Sequence, residues 1–381
     1  RILLYVKMQT ALLNCTIITN GRFIKNKAVI VDGKYIRHLI NDSEVPDNCE
    51  QIDLHGAFVA PGLIDLQVMG AGGEFLGALP TANTLHIMEK ELLKQGTTGF
   101  LATLATTSPE ITEKTIEAAT HYRNKVIGSF LGLHLEGPYI NIKSKGAHVE
   151  RYISEATLED SKQLLEKAKG EIKMITIAPE LQEQEVIDYF LSNSVVLSLG
   201  HSGASFEEAS GFFAGKRKAV THLFNAMAGM HHREPGIIPA VFLEKPYTSI
   251  IADGIHVDYT MVRLAKSILG EYLYLITDAA TETKHGFYQH KFKGDRYVAV
   301  YDGDEVLSGS SLTMLKAVQN CVEYASIPLH EAINMASLYP ARVIGLDNKL
   351  GLVQSGYEAN LLAFDCDFNV VKVFFNGSEV N

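Results

Sequence analysis

The chain has 381 residues, 46% of them hydrophobic and 20% charged, a globular composition with no disordered tract and enough length for one large core plus a smaller module. A formal charge of −10 excludes an extended nucleic-acid or anionic-membrane surface, so any phosphate contact must be a local pocket. Cys15, Cys49, Cys321 and Cys366 lie far apart with no Cys-x-x-Cys pair, which predicts reduced, buried thiols rather than a disulfide framework or a thiolate zinc site.

No run of about 18 apolar residues is present, and the opening segment from Arg1 to Lys7 is too short for a signal-peptide core, so a cytoplasmic location is expected. Met8 offers a more conventional start, which makes the first seven residues an expected upstream extension. From there the segment 8–57 reads as short β runs, at 11–19, 27–31, 35–40 and 51–54, separated by Asn20-Gly21, Asp32-Gly33 and Pro46-Asp47-Asn48 turns. The segment 346–381 resumes this style at 359–364 and 370–375, with an Asn376-Gly377 turn. The two ends are therefore predicted to form one small β-sandwich around an inserted domain, 58–345.

Within 58–345, eight strand-like apolar runs fall at 58–68, 98–103, 129–136, 172–179, 195–201, 219–225, 249–253 and 272–278. Segments with helical spacing separate them, at 84–94, 110–121, 157–167, 183–191, 206–214 and 259–269, most of them opened by Ser, Thr or Asp. Such alternation predicts parallel strands with crossover helices, and eight units predict a closed (β/α)8 TIM barrel.

Reactive groups in such barrels sit at the C-terminal ends of the strands. Here the third run ends in Glu136, the fifth in His201, the sixth in His222 and the eighth in Asp278. One carboxylate and two imidazoles are the number and kind of ligands a catalytic zinc takes while leaving a position for water, and Asp278 is then available to act on that water. A lone His or Glu at a strand end is more often structural; the coincidence of four at one face carries the metal reading. His134 alternates onto the same side of its strand as Glu136 but one layer deeper, and is expected to be a core or supporting residue.

The chain resembles the N-acetylglucosamine-6-phosphate deacetylases of the amidohydrolase superfamily. The resemblance runs through Pro61-Gly62-Leu63-Ile64-Asp65, His134 to Pro138, Lys145-Gly146-Ala147-His148 and Gly200-His201-Ser202. It continues through Thr221-His222-Leu223-Phe224-Asn225-Ala226-Met227, Arg233-Glu234-Pro235-Gly236, Ala252 to Asp258, Thr277-Asp278-Ala279 and Leu307-Ser308-Gly309-Ser310. It implies deacetylation of N-acetylglucosamine 6-phosphate, with Glu136, His201 and His222 on one divalent metal and Asp278 as general base and then acid. Zinc is the first choice of metal; iron, cobalt and manganese remain open. His148 would hydrogen-bond the substrate near its carbonyl, against the alternative of an ordinary loop histidine. The backbone N–H groups of Asn225 and Ala226, with Arg233 and His256, would surround the phosphate.

In relatives the arginine equivalent to Arg233 comes from the neighbouring subunit, which implies a homodimer; the alternative is a solvated loop residue. Two features depart from the resemblance. Gln67 and Met69 stand where many barrel hydrolases carry His-x-His, Gln67 fitting the deacetylases that have Gln-x-Asn there and Met69 fitting neither pattern, and the stretch from Ala280 to Lys284 is unusually polar. The missing histidine pair argues against a two-metal cyclic-amide or dipeptide hydrolase and predicts a single metal, with Gln67 packing or orienting water. The intact strand-end set argues against a non-catalytic barrel. Whether the sugar is the gluco or the galacto epimer is left open by residue types alone.

Overall fold

The computed structural model describes residues 9–215, 217–283, 289–301 and 304–380. The expected leading extension with Met8, and Lys284 of the polar stretch, lie outside them. Eight parallel strands form one sheet in chain order, from Leu63–Val68 through Thr97–Ala105, Phe130–Glu136, Ile172–Ile177, Val196–Leu199, Lys218–Val220 and Tyr247–Ile250 to Leu273–Leu275. A parallel bridge between Val68 and Ala279 closes the sheet into a barrel, and the Asp278 N–H donates to the Gln67 carbonyl at 2.9 Å. The seam therefore sets Gln67 beside Asp278.

The six expected helices form within a residue or two of their predicted bounds, and Thr81, Ser108, Thr157, Ser205 and Asp258 cap five of them by accepting backbone N–H groups. The helix Ile237–Glu244 was not predicted, because IIPAVFLE is apolar all round and carries no periodic signal. Also unpredicted is an antiparallel three-stranded sheet, Gln289–Phe292, Tyr297–Tyr301 and Asp304–Leu307, inserted between the last barrel strand and the helix Met314–Glu323.

The run 58–68, read from sequence as one barrel strand, is two. Phe58–Pro61 pairs antiparallel with Leu361–Phe364 and parallel with Thr16–Thr19; only beyond Gly62 does the chain enter the barrel. A Cβ at Gly62 would lie 2.0 Å from Thr98 Oγ1, so glycine is required where the chain crosses from one sheet to the other. Phe58–Pro61 belongs to a six-stranded sheet that faces a four-stranded one, Tyr35–Asn41, Lys27–Asp32, Thr10–Leu13 and Glu50–Asp53. Leu12, Ile17, Val29, Val59, Leu361 and Phe374 fill the space between them, so strands from both ends of the chain make the sandwich. Cys15, Cys49 and Cys321 are buried as expected, but Cys366 is exposed, because it follows the edge of Leu361–Phe364 into a solvent-facing turn.

The third strand, which ends in Glu136, is anchored at its start by Glu89. This buried carboxylate accepts the backbone N–H groups of Ile127, Gly128, Ser129 and Phe130 at 2.6–3.0 Å, and the Tyr122 hydroxyl. Burial alone would raise its pKa, yet these donors hold it below its ordinary value. The clamp therefore contributes fully above the unfolded glutamate pKa of about 4.3 and weakens as pH falls through the lower folded value. Glu89→Ala, which strands several buried donors, is expected to lose about 3 kcal/mol or more at pH 7 in denaturant titration. A loss below about 0.5 kcal/mol, the size of an ordinary surface change, would show that the clamp contributes little.

Candidate active site and metal centre

The barrel mouth gathers the strand-end residues around Glu136. Its Oε1 lies 2.9 Å from His222 Nε2 and 3.2 Å from His201 Nε2, and the two imidazole nitrogens are 3.0 Å apart. His201, His222 and Asp278 all adopt left-handed backbone conformations, with φ of 49°, 35° and 50°. Strain of this kind in non-glycine residues is held only by the surrounding structure, and here it turns three side chains from the strand direction into one point.

Hydrogen-bond partners orient several of the rings. His201 Nδ1 is 2.9 Å from the Ser144 carbonyl, which can only accept, so Nδ1 carries the proton and Nε2 presents a lone pair toward Glu136. His148 is the reverse: its Nδ1 accepts the Thr106 N–H at 3.2 Å, so its Nε2 carries the hydrogen and points at Glu136 Oε2, 3.6 Å away. Burial, followed by the neighbouring His201, lowers the His148 pKa to about 3, so the ring is a neutral donor. His134 is buried beneath, its Nδ1 donating to the Leu66 carbonyl and its Nε2 facing Thr176 Oγ1, the supporting position expected of it.

The carboxylates are held apart in character. Burial would raise Glu136, but the His201 and His222 imidazoles set against it, with His148 nearby, keep it well below the usual range. Burial and the nearby Glu136 charge push Asp278 up to about 6. Between them sits Gln67, whose Nε2 is 3.0 Å from Glu136 Oε1 and 3.0 Å from Asp278 Oδ1. Two acceptors fix the amide orientation, so Gln67 faces the site with donors and offers it no ligand atom. Met69 turns instead into an apolar cluster with Phe75 and Ala280.

Met69, Glu136, His148, His201, His222 and Asp278 line a cavity of about 140 Å3, together with Asn225, Ala226 and His256. His256 is held by Asp253, whose Oδ2 is 2.6 Å from His256 Nδ1. One expectation is corrected in part: the Asn225 N–H does not face the cavity but donates to the His222 carbonyl at 2.9 Å, because the turn after the sixth strand closes on itself. The Ala226 N–H has no acceptor among the described residues. Arg233 is exposed on the following loop and does not line the cavity. Sequence reasoning missed Ser308, which lines the cavity and lies 2.8 Å from the buried His290 Nε2; its only signal was the Leu307-Ser308-Gly309-Ser310 motif.

The donor set fits a divalent ion. Three potential ligand atoms stand 2.9–3.2 Å from one another, close to the roughly 3.3 Å that separates neighbouring ligands around a tetrahedral zinc with bonds near 2 Å. Glu136 and His201 also bring ligand atoms within 4.8 Å of one on His148. Barrel, buried carboxylate–imidazole cluster and a separate elevated carboxylate together define a metal-dependent barrel hydrolase.

Comparison with known proteins narrows the class. The family model described as Amidohydrolase family matches residues 58–380, and that described as NagA composite domain matches 10–59. The chain is 38% identical to N-acetylglucosamine-6-phosphate deacetylase of Haemophilus influenzae, covering 97% of this chain and 99% of that one, and 29% identical to the human enzyme of the same name over 96% and 94%. Among solved structures, N-acetylglucosamine-6-phosphate deacetylase from Pasteurella multocida superposes with a TM-score of 0.90 at 36% identity, covering 98% and 100% of the two chains. The Thermotoga maritima enzyme gives 0.83 at 29% identity, over 98% and 99%. The chain belongs to the amidohydrolase family and, within it, to the N-acetylglucosamine-6-phosphate deacetylases.

Proposed function

We propose that the protein hydrolyses the acetamide of N-acetylglucosamine 6-phosphate to glucosamine 6-phosphate and acetate, with Glu136, His201 and His222 holding one divalent metal, zinc first among the candidates. The observation that carries this is the meeting of Glu136 Oε1 with two imidazole nitrogens, one Gln67 amide away from Asp278. His222 rather than His148 is taken as the third ligand, because its Nε2 lies 2.9 Å from Glu136 Oε1 and 3.0 Å from His201 Nε2, whereas His148 Nε2 stands 3.6 Å from the other Glu136 oxygen. When bound, the metal supplies Lewis acidity, which lowers the pKa of water and polarises a carbonyl.

The protein's own groups perform the remaining work. The His148 Nε2–H donates to the carbonyl oxygen as negative charge develops there. Asp278 takes the proton of the attacking water and returns it to the nitrogen, so that the amine departs neutral rather than as an amide anion. Gln67 holds Asp278 against Glu136, keeping the base aimed at the site while its donors stabilise both carboxylates. Gln67 and Met69 leave the first strand without ligands for a second ion, which supports a single metal per chain.

His256 and the Ala226 N–H are assigned to the sugar phosphate. Arg233, exposed and away from its own cavity, is assigned to the site of a second subunit in a homodimer. The cytoplasm is the assigned compartment; four free cysteines support it, and among the described residues no helix is long and apolar enough to cross a membrane. The substrate class is tested by amine release from N-acetylglucosamine 6-phosphate beside the unphosphorylated sugar. The phosphorylated sugar is expected to have a kcat/KM at least about a hundredfold higher, since phosphate donors left unpaired cost the analogue dearly. Equal rates would remove the phosphate from the assignment.

A further inference from the structure

A second cavity, of about 220 Å3, borders His148. Its walls are Phe75, Gly77, Ala78, Ile111, Val149 and Tyr152, and it shares Ala105 and His148 with the catalytic cavity. Ala105 and His148 stand where the two cavities meet, and the His148 ring is held by the Thr106 N–H at 3.2 Å. An apolar strip joins the two: Met69 and Ala105 on the catalytic side pack in one cluster with Phe75 and Ala78 on the far side.

Ala105, which lines both cavities, is where an acyl substituent held in the catalytic cavity would meet this strip. An acetyl methyl group ends there, whereas a longer chain continues past Ala105. We propose that this chamber is an acyl pocket, so that the enzyme releases propionyl and butyryl groups, as well as acetyl, from the same phosphorylated amino sugar. The proposal rests on the deacetylase assignment above. The reaction is the same hydrolysis: water oxygen bonds to the acyl carbon, the C–N bond breaks, the proton passes to the amine, and propionate or butyrate leaves in place of acetate. The small residues Gly77, Ala78 and Ala105 make room for the chain, and Phe75, Ile111 and Val149 offer it apolar surface beside the hydroxyl-bearing Thr106, Thr107 and Ser108. Each methylene taken from water into such surface is expected to improve binding by up to about fourfold.

The test is kcat and KM for N-acetyl-, N-propionyl- and N-butyrylglucosamine 6-phosphate with the metal-loaded wild type and with Ala78→Leu, which fills the chamber from a wall that does not line the catalytic cavity. Wild type is expected to process all three with kcat/KM within about tenfold, KM falling with chain length. Ala78→Leu is expected to lose about tenfold or more on the butyryl substrate while acetyl turnover stays within about twofold. Ala78→Val, a smaller intrusion, should give an intermediate loss and serves if the leucine variant does not fold. A butyryl substrate more than about tenfold worse in wild type, or variants that slow acetyl and butyryl alike, overturns the acyl pocket and leaves the deacetylase assignment standing. Failure on the acetyl substrate itself overturns both.

Discussion

Asp278→Asn is expected to keep its metal and bind substrate while kcat falls by at least about a hundredfold, the usual contribution of a positioned proton-transfer group. Asparagine is nearly isosteric, and its side-chain oxygen still accepts from Gln67 Nε2 at the position where Asp278 Oδ1 is 3.0 Å away, so the geometry survives. What disappears is the ability to hold a proton between the attack of water and the departure of the amine. Asp278 suits that role because burial and the neighbouring Glu136 raise it to about 6, nearer to neutral pH than an ordinary carboxylate and so a stronger base. The check is kcat and KM beside metal content and substrate affinity. Turnover near that of wild type in fully loaded protein would remove Asp278 from the chemistry.

Arg233→Ala is expected to lower kcat/KM for N-acetylglucosamine 6-phosphate by about a hundredfold while barely affecting the unphosphorylated sugar, since only the phosphate offers a charge-assisted partner. Its exposure and its absence from the cavity lining are what the proposed role in a second subunit's site rests on. Mixing inactive Asp278→Asn with Arg233→Ala and allowing subunits to exchange provides the test. Half the dimers are then mixed, and each has one site with native Asp278 and a native Arg233 from its partner, so about a quarter of wild-type activity returns. An arginine acting within its own chain gives no recovery, and equal losses on both sugars would make the residue structural.

The barrel was legible because apolar runs and amphipathic segments alternate, and because four runs end in residues with unusual chemistry for a strand terminus. Glu136, His201, His222 and Asp278 meet in the structure as their places at the strand ends required. Their convergence depends on left-handed backbone at three of them, and nothing in the residue types announces that conformation. Gln67 was recognisable as a departure but not as a double donor, since its two partners lie 69 and 211 positions away in sequence. His148 likewise was only a motif histidine until the Thr106 N–H fixed its tautomer. The Asn225 N–H was read too generously, because a turn's internal hydrogen bond is invisible in composition. Apolarity could not separate Phe58–Pro61 from Leu63–Val68 either; the steric demand of Thr98 at Gly62 does.

The central claim, that Glu136, His201 and His222 hold one metal on which hydrolysis depends, is tested most directly by reconstitution. Chelator-stripped protein is titrated with zinc, and metal content is measured beside amine release from N-acetylglucosamine 6-phosphate. Activity is expected to be absent in the stripped protein, to rise linearly and to saturate at about one equivalent per chain, while His201→Ala and His222→Ala bind the ion too weakly to follow that line. Activity that persists after stripping, or that saturates only near two equivalents with both ions required, would contradict the account.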